Sequence, residues 1–169
     1  MYNFNITEHF SAKTLDNKHR PIYDALKKYF GISTKGTLLL LATYGLYSEN
    51  VQYEPSAINN LKESNDTERN SGKILQIRSG TDSEWNNFFN SIILKLAKMD
   101  ETSFDKTFGD KETYNKYVDT LIDYAHQTAE YFLDNELNSY KKGVTTSNSD
   151  KFIQDMLLIL KELEEGSPF

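Results

Sequence analysis

The chain of 169 residues contains no cysteine and only three prolines. The absence of cysteine excludes disulfides, thiol catalysis and cysteine-ligated zinc, and it is typical of proteins in a reducing cytosol. The longest continuous apolar run, residues 38–42, is far shorter than the roughly 20 residues of a membrane-spanning helix. The first residues lack the basic and apolar segments of a signal peptide. We therefore expect a cytoplasmic protein with no membrane association.

The sequence also lacks the short motifs of several large enzyme classes. It contains no glycine-rich phosphate-binding loop, no H-E-x-x-H zinc motif and no G-x-S-x-G nucleophile motif. These absences argue against nucleotide-dependent, zinc-protease and serine-hydrolase chemistry. We predict no cofactor, and we favour a protein that is not an enzyme.

Aromatic residues are plentiful, with 10 Phe, 11 Tyr and 1 Trp, so a well-packed core is expected. The charged residues are unevenly distributed along the chain. Residues 1–36 carry six basic and three acidic side chains, whereas the remainder carries 13 basic and 22 acidic ones. An acidic body opposes non-specific binding to nucleic acid, so any phosphate contact would fall to the N-terminal third.

The segment 35–46 is apolar around nearly its whole circumference, because four consecutive leucines lie in its middle. A helix of this kind has to be surrounded by other helices. We predict Ser33 or Thr34 as its cap and an end near Gly45. The preceding helix is predicted over residues 21–30.

Apolar residues at helical spacing predict the rest of the architecture. A capping box at residues 81–84 opens a helix whose apolar face includes Phe88 and Met99. Further helices are predicted at residues 55–61, 111–140 and 150–164, with Leu157 on the apolar face of the last; residues 74–77 are read as a strand or a final turn. The sequence therefore predicts an all-α, compact single domain over residues 1–169, with five to six helices around a buried central helix, mobile loops near 63–72 and 142–149, and a C-terminal tail at 165–169.

Tyrosines recur at seven-residue spacing along the long helix predicted over 111–140. Tyr117, Tyr124 and Tyr131 fall on one stripe, and each offers apolar area with a polar tip. Such a stripe suits a protein interface. The alternative is that these rings complete the boundary layer of the domain itself.

Carboxylates and a histidine form a second stripe on the same helix. Asp119, Asp123, His126 and Glu130 are spaced by four, three and four residues, which places them on one side of the helix. Side chains of these types can hold a divalent cation in helical bundles, although known sites draw ligands from several helices. A solvated polar face beside the core is the alternative. His9 and His19 are interpreted as ordinary surface or boundary histidines.

The basic N-terminal third suggests a phosphate-binding surface. Its cationic side chains are Lys13, Lys18, Arg20, Lys27, Lys28 and Lys35. Two helices joined by a short turn also invite a helix-turn-helix interpretation. The four leucines of the second helix oppose it, because a recognition helix must present polar side chains to the base edges.

The order of elements resembles a known group of proteins. Residues 22–28, Phe30, the apolar segment 34–47, Ile77-Arg78 and Tyr124-Ala125 resemble the small bacterial proteins associated with Dnd (DNA phosphorothioation) anti-phage systems. An acidic pair expected before Tyr124 is replaced by Leu-Ile-Asp. The resemblance implies an accessory role in defence against foreign DNA and carries over no catalytic residue.

Three hypotheses follow. The leading one is a non-enzymatic accessory or interaction protein of a bacterial defence system, which binds another protein of its operon or a second copy of itself through the tyrosine stripe. The first alternative is a DNA-binding or regulatory protein that uses the basic N-terminal third. The second alternative is a metal-dependent enzyme built on the carboxylate and histidine stripe.

Overall fold

The fold is given by a computed structural model of the chain, which describes residues 14–15, 17–51, 53, 75–76 and 83–166. The described residues form six α-helices, namely α1 (Arg20–Phe30), α2 (Thr34–Tyr47), α3 (Ser83–Met99), α4 (Phe104–Gly109), α5 (Lys111–Asp134) and α6 (Ser149–Gly166). They also include 3-10 turns at Asn17–His19 and Asn138–Tyr140. A two-residue strand β1 (Thr14–Leu15) pairs antiparallel with β2 (Leu75–Gln76). The predicted all-α bundle is confirmed.

The turn between α1 and α2 forms as the sequence predicts. Gly31 adopts a left-handed conformation, with φ of 68°, which is a common way to end a helix. The amides of Gly31 and Ile32 both donate to the carbonyl oxygen of Leu26. Ser33 then caps α2, because its hydroxyl oxygen accepts a hydrogen bond from the Gly36 amide at 3.1 Å.

Helix α2 is the buried central helix. All fourteen of its residues are described, and every one of them is buried or half-buried. It packs along α5, where the rings of Tyr44 and Phe132 meet edge to face with centroids 4.7 Å apart. The predicted position of this helix is confirmed, but it ends at Tyr47 and not at Gly45.

Gly45 serves close packing between α2 and α5. A Cβ atom at this position would collide with Oγ1 of Thr128 and would lie 3.1 Å from the carbonyl oxygen of Tyr124. Both neighbours belong to α5. The lack of a side chain at Gly45 therefore lets α2 and α5 approach each other closely. This close approach explains why a glycine is present inside a helix.

Helices α3 and α4 cover one side of α5. Phe89, Ile93 and Leu96 of α3 are buried as predicted, whereas Phe88 and Met99 are 61% and 57% exposed. The prediction that Phe88 and Met99 are buried is wrong, because the apolar surface of α3 is wider than the core beside it. Helix α4 was not predicted; its cap is Ser103, whose hydroxyl oxygen accepts from the Lys106 amide.

Helix α5 begins as predicted and ends six residues earlier than expected. Asp110 caps its start by accepting a hydrogen bond from the Thr113 amide at 2.9 Å. At its end the side-chain amides of Asn135 and Asn138 donate to the carbonyl oxygens of Tyr131 and Asp134. Asparagine side chains compete in this way with the backbone hydrogen bonds of a helix, and the chain leaves the α-helical path.

Helix α6 packs against α2 and the aromatic residues of α1. The ring of Phe152 contacts Tyr29, Phe30 and Tyr140, with centroids 5.2–6.4 Å apart. The helix extends to Gly166, so the start of the predicted tail is helical. Leu157 is 53% exposed, contrary to the prediction that it is buried.

Several predicted features lie outside the described residues. They are the helix at 55–61, the loop at 63–72, the threonine of the capping box and residues 167–169. The loop before α6 is described and consists of turns up to Asn148. No helix in the described part of the chain combines the length and the apolar character that crossing a bilayer requires.

We predict that Gly45→Ala destabilises the fold although alanine is the better helix former. The added methyl group overpacks the contact with Thr128 and Tyr124, and such changes cost about 1–3 kcal/mol. Urea unfolding followed by circular dichroism measures the change. Gly109→Ala is the matched control, since a Cβ there meets nothing within 4 Å. Equal stability of the two variants would contradict the close-packing role.

Candidate functional site

Two histidines from separate elements meet inside the bundle. His19 ends the 3-10 turn before α1 and is fully buried, and His126 lies on α5 and is 8% exposed. Their rings pack edge to face, with centroids 5.1 Å apart and planes at 67°. The interpretation of His19 as a surface or boundary residue is therefore wrong. The signal in the sequence is its place three residues before Ile22, the first buried apolar position of α1 in the described structure.

Glu130 adds a carboxylate to this pair, one helical turn after His126. Its Oε1 forms an ion pair with Nζ of Lys18 and lies 3.6 Å from Nε2 of His19. The neighbouring imidazole of His19, together with the Lys18 ammonium, lowers the pKa of the Glu130 carboxyl to about 2 despite partial burial. Glu130 therefore carries its negative charge throughout the physiological pH range.

The histidine cluster, defined as Lys18, His19, His126 and Glu130, joins the start of α1 to α5. Within the described residues, neither ring nitrogen of His19 has a hydrogen-bond partner, and the same holds for the buried hydroxyl of Tyr23 one turn later. Burial raises the pKa of Tyr23.

The predicted metal set is not brought to one point. His126 and Glu130 belong to the histidine cluster, whereas Asp123 lies near Tyr53, where burial and the charge of Asp123 raise the pKa of the tyrosine. Asp119 is half-buried two turns from His126. Among the described residues, no group of three or more histidine, aspartate or glutamate side chains is arranged to hold a metal ion.

The tyrosine stripe lies mostly inside the domain. Tyr117 is 2% exposed, and its hydroxyl donates to Oγ1 of Thr102 at 2.7 Å. Tyr124 is 9% exposed and stacks on Tyr53 with ring centroids 4.4 Å apart. Tyr131 is the half-buried member of the stripe. This burial favours the alternative that Tyr117 and Tyr124 complete the packing of the domain, and it leaves Tyr131 within reach of a partner.

The basic set is partly occupied by contacts within the chain. Lys18 pairs with Glu130, and Arg20 pairs with Asp24 at 3.2 Å. The remaining members are Lys27 and Lys28, which are exposed, Lys35, which is half-buried, and Lys13, which lies outside the described residues. Two of the five described members are therefore engaged by carboxylates of the chain itself, and the phosphate-binding role of the set stays a prediction.

Five large apolar side chains of the described residues are conspicuously exposed, on the three helices α3, α4 and α6. They are Phe88, Met99, Phe104, Leu157 and Leu158, with exposed fractions of 45–61%. Phe88 and Met99 share one face of α3 with half-buried Ile92, because spacings of four and seven residues return to the same side of a helix. We call this surface the α3 face.

The sequence signal for these surfaces is a pair of adjacent large apolar residues. Neighbouring residues on a helix diverge by about 100°, so one packing partner cannot cover both. Phe88-Phe89 and Leu157-Leu158 are such pairs. In the first pair Phe89 is buried and Phe88 is exposed.

Basic residues lie on and beside the α3 face. Among the described α3 side chains, residues 87–99, Lys95 and Lys98 are the charged ones, and both are exposed. Lys95 also places its Nζ 5.2 Å from the ring centroid of Tyr47. Within a protein whose formal net charge is −6, this helix therefore presents an apolar face that carries one lysine and has a second lysine beside it.

We predict that Tyr124→Ala destabilises the protein by about 3 kcal/mol, because the ring is buried against Tyr53 and α2. Tyr131→Ala, at the half-buried position, should cost less than about 1 kcal/mol. Chemical denaturation of both variants provides the comparison. A fully stable Tyr124→Ala protein would restore the interface interpretation of the whole stripe.

We predict that Glu130→Gln removes a contribution to the free energy of unfolding that changes with pH in the acidic range. The folded pKa of about 2 lies below the ordinary value of 4.5, so the charge of Glu130 stabilises the fold above pH 4.5. That contribution declines as the pH falls from 4.5 through about 2. The difference in unfolding free energy between the wild type and the variant should therefore shrink across this range, measured by urea unfolding at successive pH values.

Exposed Glu164 supplies the control for this measurement, as Glu164→Gln removes a carboxylate that forms no ion pair within the described residues. The control should follow the wild-type pH profile. A difference between wild type and Glu130→Gln that stays constant from pH 7 to pH 2 would refute the electrostatic role of Glu130.

No family model, no curated protein and no solved structure matches this chain. The resemblance to Dnd-associated proteins therefore stays a prediction from the sequence. The function has to be inferred from the histidine cluster and the exposed surfaces alone.

Proposed function

We propose that this chain is a non-enzymatic interaction protein that binds another protein through the α3 face. The observation that carries the proposal is the exposure of Phe88 and Met99, at 61% and 57%, on one side of a single helix. Single exposed apolar residues are common on protein surfaces. Two large ones aligned across three turns, with Ile92 between them, form a strip that an apolar partner can cover.

The charges beside the strip define the class of partner. Lys95 lies within the strip, seven residues after Phe88, and Lys98 lies beside it. Asp100 just beyond them is paired with Lys116 at 3.1 Å. An amphipathic helix with an apolar stripe and acidic side chains along it would complement this surface in both shape and charge. We therefore propose an acidic amphipathic segment of another protein as the partner.

The histidine cluster supports a binding role more than a catalytic one. Its two histidines are buried, and Glu130 is already engaged by Lys18 and His19. Such contacts hold α1 against α5 and keep the bundle rigid behind its exposed faces. The cellular setting that we propose, a cytoplasmic accessory role in bacterial defence, depends on the Dnd resemblance alone.

The test is affinity purification of the tagged protein from its native host, with and without nuclease, followed by mass spectrometry. The decisive variant is Phe88→Ser/Met99→Ser, which removes the α3 strip without touching a buried side chain. Leu157→Ser/Leu158→Ser is the matched control, because it removes two comparably exposed apolar residues elsewhere. Circular dichroism and melting curves establish that both variants remain folded.

We expect one protein to be recovered in stoichiometric amount with the wild type and the control, and at least tenfold less of it with the α3 variant. The recovery should survive nuclease. A partner that binds the α3 variant normally would contradict the proposed surface. Recovery that depends on nucleic acid would favour the DNA-binding alternative.

A further inference from the structure

Helix α6 presents a second surface, separate from the α3 face. Its buried side chains Phe152, Met156 and Ile159 point into the bundle. Leu158 is 61% exposed and lies on the opposite side of the helix, with Leu157 beside it. The helical spacing places a set of further side chains on the same side as Leu158, namely Lys151, Gln154, Asp155, Lys161, Glu162 and Glu165. We call this surface the α6 face.

The charges of the α6 face are complementary to themselves under a two-fold rotation. Suppose that two copies of α6 run antiparallel, with the two-fold axis at Leu158. Each residue of one copy then faces the residue of the other copy that lies the same number of positions from Leu158 in the opposite direction along the chain. Lys151 then faces Glu165 of the second copy, and Asp155 faces Lys161 of the second copy. Gln154 faces Glu162 of the second copy, and the side-chain amide of the glutamine can donate a hydrogen bond to that carboxylate. No pair on this face brings two like charges together.

We propose that the α6 face binds a second copy of this chain, as an antiparallel helix pair with Leu158 on the two-fold axis. A two-fold homodimer requires a self-complementary surface, and the charge order along α6 supplies it. The two leucines at the axis give the contact its apolar centre, and the opposite charges fix its direction and register.

The charged groups are positioned to take part in such a contact. Lys161 and Glu165 form an ion pair within one helix at 3.5 Å, and both side chains are more than two-thirds exposed. In the pair of helices, Glu165 lies between its own Lys161 and Lys151 of the other copy. Asp155 accepts a hydrogen bond from the Tyr140 hydroxyl at 2.7 Å, which fixes the carboxylate beside the face.

The size of the surface sets the strength of the association. One 18-residue helix spans about 27 Å, and its face carries few apolar side chains. A stable interface buries roughly 800 Å² on each partner, more than a single polar helix face of this kind supplies. We therefore expect a weak dimer with a dissociation constant on the order of 100 μM, whose population depends on concentration and salt.

Sedimentation velocity of the full chain from about 10 μM to 1 mM tests the proposal at low salt. The wild type should shift from the mass of one 19.5 kDa chain towards twice that value. Lys151→Glu and Glu165→Lys should each weaken association at least fivefold, because each creates like-charge pairs across the axis. Leu158→Glu should abolish it. Glu164→Lys is the control for Glu165→Lys, since it makes the same change of charge on a neighbouring side of the helix.

Mixing the two charge variants gives the sharpest outcome. The Lys151→Glu variant carries an acidic residue at both 151 and 165, and the Glu165→Lys variant carries a basic residue at both. Opposite charges therefore face each other only when the two variants are combined, so the mixture should associate more tightly than either variant alone. The double variant Lys151→Glu/Glu165→Lys should recover the wild-type mass shift. A wild type that stays monomeric up to 1 mM, or charge variants that associate as the wild type does, would overturn the proposal. Neither result bears on the α3 face, because no second protein is present.

Discussion

The close approach of α2 and α5 is the constraint on which the other contacts depend. Gly45 brings the backbone of α2 next to Tyr124 and Thr128 of α5, and the edge-to-face pair of Tyr44 and Phe132 extends the contact along the helices. Because α2 is apolar on all sides, the remaining helices have to close around this pair. Helices α3 and α4 cover α5, whereas α1 and α6 cover α2. The outward faces of the covering helices are then the surfaces left for function.

The helices and the buried centre could be predicted because their signals are local. The leucine run in α2, the left-handed Gly31 and the capping residues Ser33 and Asp110 each act within a few residues of the feature that they determine. Gly45 shows the limit of prediction from local signals. A glycine near the end of an apolar helix is typical of a terminus, and the reason for its presence is a helix some 80 residues later in the chain.

The candidate site was predictable only in part for the same reason. The spacing of His126 and Glu130 places them together on α5, but the third and fourth members, His19 and Lys18, come from a distant turn. Periodicity likewise identified Tyr117 and Tyr124 as a stripe without revealing that Thr102 and Tyr53 would cover it. The exposure of a side chain depends on the elements that pack around it, and the residue pattern of a single helix carries no information about those elements. The adjacent pairs Phe88-Phe89 and Leu157-Leu158 are exceptions, since helix geometry alone divides each pair between two directions.

The ion pair of Lys18 and Glu130 has a consequence for the response of the bundle to ionic strength. Both side chains are about half exposed, so dissolved salt screens their attraction, whereas the contact of α2 with α5 is apolar and excludes ions. Added salt therefore loosens the start of α1 and leaves the centre intact. The two ends of α1 differ in kind. The start is held by the Lys18–Glu130 ion pair beside the buried contact of His19 with His126, and the other end, at Phe30, is held by aromatic packing on Phe152. Ionic strength thus acts on charged contacts at the edge of the bundle, such as this one, and not on its apolar centre.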